Sequence, residues 1–297
     1  MFTNRIGEIS ALLTAILWVF TGTAFERAGK RVSSQAVNLV RLLMALVIMG
    51  IFLTIRRGSP IPLDATPKAW FWLSFSGLAG FVLGDLFLFE SYLLVGTRIA
   101  LLVMSLSPIL TGILGYLIFG ETLNPLSMFG IGLVILGIML VVLTKNPGEK
   151  MKLNICPRGL VFAILGAVGQ SIGLVFSKLG MGSFDPFAST QIRLIAGTIG
   201  WIVLFVVFGW FPRLKSFKTD HKALGFTFFG AFFGPFLGVA LSLTAVQHTR
   251  AAVASAIMSI MPVLILPVNL VLFKEKIRSR AIIGAVITVI GVVILYL

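Results

Sequence analysis

The sequence predicts an all-α integral membrane protein of ten transmembrane helices, arranged as two inverted five-helix repeats. Three observations carry this: ten long apolar runs, charge confined almost wholly to their connections, and a chain that matches itself when shifted by about half its length. Hydrophobic residues fill 58% of the 297 positions and only 11% are charged, against about 25% in a soluble domain. A bilayer span needs about 20 mainly apolar residues, and such runs occupy 6–25, 35–55, 69–95, 99–119, 126–143, 160–176, 188–208, 223–246, 251–273 and 281–297. Continuous apolar runs exclude the alternating pattern of a membrane barrel, so helices are the remaining way to satisfy the backbone in lipid.

The first run follows a weakly basic start and lacks a small-residue cleavage site, so it is expected to stay as an anchor. It carries Ser10, Thr14, Trp18 and Thr21 at helical spacing. The hydroxyls suit packing or a cavity equally, whereas an indole well inside a span, away from the interfacial belt, points to the cavity. The second run holds Arg41 within two turns of its start, where a long basic side chain can snorkel to lipid phosphate or recognise an anion. In the fourth, Ser105 stands three residues before Pro108; proline removes a backbone donor and bends its helix, leaving a carbonyl for a site. The fifth run contributes Gly130 and Gly137.

In the sixth run Gln170 and Ser171 lie among Gly166, Gly169 and Gly173. Small residues bring helices close, and Gln170 then needs a buried partner or a place on the pathway. The seventh repeats the arginine as Arg193. The eighth carries Gly230, Gly234 and Gly238 at the GxxxG spacing, also seen at Gly80 and Gly84, which reads as a packing face. The ninth repeats the Ser-x-x-Pro as Ser259 and Pro262, and the tenth carries Gly284 and Gly291. Glu121, Glu275 and Lys178 are expected to be interfacial charges at span ends.

The third run holds the most informative residue, Asp85, near its midpoint. An ionised group at the centre of a bilayer helix costs about 2.5–3.5 kcal/mol on insertion scales and usually marks a substrate or ion pathway. Phe81, Asp85, Phe89 and Tyr92 share a helical face, while Glu90 points about 140° away, so the two acids are not expected to pair. Asp85 suits proton coupling or an amine substrate; the competing expectation is a buried Asp bonded to a neighbouring helix. Glu90 is expected nearer an interface.

Shifted by 154 residues, Gly80, Gly84, Met104, Ser105, Pro108, Glu121, Gly130 and Gly137 fall on Gly234, Gly238, Met258, Ser259, Pro262, Glu275, Gly284 and Gly291. The amino-terminal parts align at other offsets: Ala15-Ile16-Leu17 with Ala163-Ile164-Leu165, and Arg41-Leu42 with Arg193-Leu194. The halves are therefore expected to be 1–150 and 151–297, joined through the polar stretch 145–152. Two copies of a five-helix unit enter the membrane with opposite orientations and form an inverted repeat. Asp85 falls on Val239 in the second half, so the acid occurs once.

The paired arginines, the Ser-x-x-Pro motifs and the Phe-x-Glu ends within 105–121 with 130–137, and 259–275 with 284–291, resemble EamA-type proteins of the drug/metabolite transporter superfamily. The likeness covers essentially the whole chain. It implies ten helices, a central cavity between the halves, cytoplasmic termini, and export or exchange of amino acids or other small metabolites. The second copy departs from the pattern at Lys274-Glu275-Lys276, where a Gly-Glu pair is typical.

Other classes find less support. The formal charge of +14 comes from short loops that orient helices, with no basic run interleaved with aromatics for nucleic acid. One cysteine, Cys156, allows no internal disulfide or cysteine-based metal cluster. There is no HExxH or Walker loop, and Asp64, Asp185 and Asp220 lie outside the apolar runs, which leaves Asp85 without a second membrane Asp for proteolysis. The expectation is a non-enzymatic secondary transporter without a cofactor or bound metal. It would move amino acids or related amphiphilic compounds outward by alternating access, with a proton or another ion as coupling partner. Its place is the cytoplasmic membrane of a prokaryote. The alternatives are a channel or lipid scramblase, and a non-transporting membrane partner protein. The loop charge count places the termini outside, opposite to the family's orientation; a fluorescent protein fused to Leu297 decides between them by whether it glows.

Overall fold

Each apolar run becomes a helix, and half of them begin where the sequence supplies a side-chain cap. The computed structural model describes residues 5–144, 156–264 and 279–296. The helices are α1 (Ile6–Gly29), α2 (Ser34–Arg57), α3 (Pro67–Ser91), α4 (Ile99–Phe119), α5 (Pro125–Val142), α6 (Pro157–Met181), α7 (Pro186–Val207), α8 (His221–His248), α9 (Ala251–Leu264) and α10 (Ser279–Leu295). The first eight are long and apolar enough to cross a membrane; α9 and α10 are shorter apolar helices. No strand occurs among the described residues. Ser33, Thr66, Asn124, Asp185 and Asp220 accept a hydrogen bond from the backbone N–H three residues on, at the starts of α2, α3, α5, α7 and α8, satisfying donors the first turn would otherwise leave bare. Proline follows in the first turn of α3, α5, α6 and α7, where its missing N–H costs nothing.

Contacts between connections confirm the alternation of ten helices. The start of α1, the end of α10 and the α2–α3, α4–α5, α6–α7 and α8–α9 connections belong on one face, and the α1–α2, α3–α4 and α7–α8 connections on the other. On the first face Arg56 reaches Asp185 at 3.1 Å, Lys178 reaches Glu121 at 2.5 Å, and Arg5 donates to the carbonyl of Tyr296. On the second, Arg31 meets Asp220 at 2.6 Å. These are called below the Lys178 face and the Arg31 face. Although residues 85–104 are helical throughout, the chain direction reverses there. Leu88 near the end of α3 lies against Gly166 and Val95 beyond it against Gly159, whereas Ser107 is back beside Ser171. The Asp220 carboxylate, outside the spans, is held below its usual range chiefly by the Ala223 N–H and then by Arg31. Its contribution is present at neutral pH and fades as pH falls through that lowered value.

The two halves meet with the reciprocity of a pseudo-two-fold axis. In α5 and α10, Gly130 lies on Gly291 and Gly137 on Gly284, so each contact maps onto the other at the repeat offset. A Cβ at Gly137 would stand 2.5 Å from the Gly284 carbonyl oxygen, and one at Gly284 would stand 2.7 Å from that of Gly137. Gly137→Ala is expected to destabilise by about 1–3 kcal/mol, the usual cost of overpacking, read as a lowered unfolding midpoint in detergent; an unchanged midpoint would mean the helices do not touch here.

The same reciprocity governs α1 and α6. Gly7 packs on Thr249, Trp18 on Gly238 and Thr21 on Gly234; Gly159 packs on Val95, Gln170 on Gly84 and Gly173 on Gly80. The structural offset of these helices is therefore 152, as for Arg41 and Arg193. The Ala-Ile-Leu match is out of register by one helical turn, because aliphatic triplets recur by chance in apolar helices whereas glycines at helix crossings do not.

One feature is absent from the sequence expectations. Leu78–Gly84 in α3 and Phe232–Gly238 in α8 are π-helical, at the repeat offset of 154. Such single-turn widenings recur at functional sites. Pro235 lies inside the second, removing a backbone donor where the hydrogen-bond ladder is already altered.

Candidate functional site

The π-helical segments, the α4 and α9 bends, and the middles of α1 and α6 surround a cavity of about 280 Å³. Its lining includes Trp18, Phe25, Arg41, Phe81, Asp85, Phe89, Met104, Ser105, Ser107, Gln170, Ser171, Arg193, Ser242, Met258 and Ser259. It lies between the halves and extends from mid-span toward the Arg31 face, where Phe25, Phe89 and Leu101 line it.

Asp85 is the first residue after the α3 π-segment and is 6% exposed. Across the widened turn the Gly80 carbonyl accepts from the Asp85 N–H, and the Gln170 amide donates to the same oxygen at 3.3 Å and to Asp85 Oδ1 at 2.7 Å. Asp85 Oδ2 accepts from the Arg41 guanidinium. Gly84 permits this approach: a Cβ there would stand 3.1 Å from Gln170 Nε2. The acid thus ties α3 to α2 in its own half and to α6 in the other. The competing expectation, an Asp bonded to neighbouring helices, describes its surroundings.

Arg41 corrects an expectation. It does not snorkel to lipid but is buried at 8% exposure, paired with Asp85 and lying over Phe25 at 5.1 Å from the ring centroid. A carboxylate within reach and aromatic faces on either side replace water better than lipid phosphate two turns away. Ser107 and Ser242 are cavity residues that the sequence did not single out, whereas Arg193, expected like Arg41 to snorkel to lipid or to recognise an anion, is buried at 5% exposure and lies 4.9 Å over Phe81. The repeat held the signal: Arg193 is the partner of Arg41, and one acid cannot neutralise two arginines.

Trp18, Gln170, Ser105 and Ser259 line the cavity with Asp85 and Arg41. The helical break falls at Ser105-Leu106 and at Ser259-Ile260, just ahead of Pro108 and Pro262. The two hydroxyls donate back to Leu102 and Ser255 carbonyls at 2.6 and 2.7 Å, and Met104 and Met258 reach the cavity beside them. Glu90 is not brought to the cavity; it faces Gln35 at 3.5 Å toward the Arg31 face, because its direction on the helix diverges from that of Asp85. The Tyr92 side chain and Glu275 lie outside the described residues.

Glu121 and Lys178 sit at span ends as expected, but as a linked cluster. Lys178 donates to Glu121 at 2.5 Å and to the Thr249 carbonyl at 2.7 Å; Glu121 also accepts from the Ala251 N–H at 3.0 Å, and Thr249 donates to Glu8 at 3.1 Å. Lys178 and Glu121 together thereby hold the ends of α4, α6 and α8 and the start of α9. A Cβ at Gly115 would meet the Glu121 carboxylate at 3.0 Å, so bulk there would push the cluster open.

The model of the EamA-like transporter family matches twice, over residues 5–143 and 157–297. A protein of Archaeoglobus fulgidus named as an uncharacterized transporter is 23% identical over 291 residues, 97% of each chain. Protein LicB of Haemophilus influenzae is 24% identical over 224 residues, covering 72% of this chain and 70% of its own. A solved crystal structure superposes with a TM-score of 0.75 at 18% identity, covering 97% of this chain and 95% of that one; this likeness bears on the fold alone.

Proposed function

Since the chain belongs to the EamA-like transporter family, we propose that it moves small amphiphilic metabolites, amino acids among them, out of the cell through the cavity between its halves by alternating access. It is a multi-pass membrane transporter of a prokaryotic cell membrane. The observation that carries the mechanism is asymmetry. The Lys178–Glu121 cluster joins four helix ends on one face, while the cavity extends toward the opposite one. An inverted repeat reverses such a state by exchanging the conformations of its halves. The contacts that must change lie between halves: Trp18 on Gly238, Gln170 on Gly84 and Lys178 with Glu121.

Asp85 is the coupling group in this mechanism. Proton binding at Asp85 would release Arg41, so substrate and proton can act on one ion pair. Asp85→Asn is expected to abolish the pH dependence of flux in proteoliposomes; retention of both rate and pH profile would remove Asp85 from coupling. Transport itself is tested with a panel of labelled amino acids and small carboxylates in the same vesicles. Uptake should saturate, accelerate when unlabelled compound is present on the far side, and vanish in Met258→Trp, which fills the cavity. Non-saturating flux indifferent to Met258→Trp would indicate a channel or a scramblase.

A further inference from the structure

The charges lining the central cavity do not cancel. Both oxygens of Asp85 are occupied by protein donors, one by Arg41 and one by Gln170. Arg193, in contrast, makes no hydrogen bond or ion pair among the described residues, and its buried Nε has no partner. Its guanidinium lies over the Phe81 ring and within electrostatic reach of Asp85, whose two oxygens are already taken by other donors. In the same cavity lining, the buried Ser107 hydroxyl is also without a hydrogen-bond partner. Gly80 keeps the approach clear, since a Cβ there would lie 3.3 Å from Arg193 Nη2. Buried cations are ordinarily paired, and a planar guanidinium with open donors matches a carboxylate in a two-pronged geometry.

We infer that the substrate carries a carboxylate that docks on Arg193, and that recognition requires no ammonium group. This rests on the cavity being the transport site. The apolar part of the substrate lies against Trp18, Phe25, Met104 and Met258, where methionine adapts to varied shapes. The approach from the Lys178 face has the same sign: a second cavity of about 590 Å³ there is lined by Arg5, Lys178 and Arg250 against Glu8. Basic walls of this kind raise the local concentration of anions.

Four probes of similar size but different head groups separate the possibilities: 3-phenylpropionate, phenylalanine, 3-phenylpropylammonium and 3-phenylpropanol. Binding to the purified full chain is read by the rise in unfolding midpoint and by quenching of tryptophan fluorescence. The two carboxylates are expected to bind and the amine and alcohol to bind at least about tenfold more weakly, the scale of a charge-assisted hydrogen bond. Arg193→Gln should remove the preference for the acids, and Arg193→Lys should keep part of it. Stronger binding of the amine, or equal binding of all four to the wild-type chain, overturns the proposal without any variant having to fold. Carboxylate binding undiminished in a folded Arg193→Gln chain also overturns it. Flux in proteoliposomes is scored separately: Arg193-dependent binding without saturable flux would uphold the carboxylate site and defeat the transporter mechanism instead.

Discussion

Replacing Arg41 by Gln is expected to destabilise the protein by about 3–5 kcal/mol, the usual result of removing one partner of a buried ion pair. The loss arises less from the missing attraction than from the Asp85 carboxylate left buried, with the Gln170 amide as its remaining side-chain donor. The double variant Arg41→Gln/Asp85→Asn removes the uncompensated charge and should recover most of the loss, because neutral replacement of a buried pair is often close to energetically neutral. Thermal unfolding in detergent, followed by tryptophan fluorescence and checked by size-exclusion profiles, measures both. A single variant as stable as the double would show that Asp85 does not depend on Arg41.

The second large effect is expected at Lys178. Hydrogen bonds to charged groups contribute about 1.5–3 kcal/mol, and Lys178 makes two, to Glu121 and to the Thr249 carbonyl. In the proposed mechanism they form in the state closed at this face and break when it opens. Losing about 2 kcal/mol of that difference in Lys178→Gln shifts the balance between the two facings by roughly thirtyfold. A cysteine at Ser242, in a chain whose Cys156 is replaced by Ser, should then react much faster with a membrane-impermeant maleimide applied from the Lys178 face. An unchanged labelling rate would mean the cluster braces the fold without gating it.

Much of this arrangement is legible in the amino acids. Ten runs, their alternation, and the reciprocal glycines of α5 and α10 follow from apolar length and from residues whose small size matters at helix crossings. Asp85 stands out because acids are costly in a span, and Trp18, Gln170 and Ser105 because they are polar or amphipathic at mid-depth. What stayed hidden is long-range. Arg41 lies 44 positions before Asp85, and helical periodicity relates residues only within one helix. Its place near the start of α2 therefore suggested the membrane surface. The π-helical turns were also invisible, since Gly77-Leu-Ala-Gly80 suits an α-helix as well as a widened one. The Ala-Ile-Leu match sets α1 against α6 one turn out of register, whereas Gly7 and Gly159 carry the true correspondence.

A locked protein tests whether one face is latched while the other gives access to the cavity. Glu121→Cys and Lys178→Cys are joined by a short bifunctional thiol reagent in the Cys156→Ser background. After that step Ser259→Cys, introduced as a third cysteine and shielded during cross-linking by a reversible thiol cap, is exposed to impermeant maleimide in vesicles of either orientation. Labelling should persist from the Arg31 face and stop from the Lys178 face, with flux abolished and then restored when a cleavable cross-link is cut. Labelling from the Lys178 face at the unlocked rate, or undiminished flux through the locked protein, would contradict alternating access through this cavity.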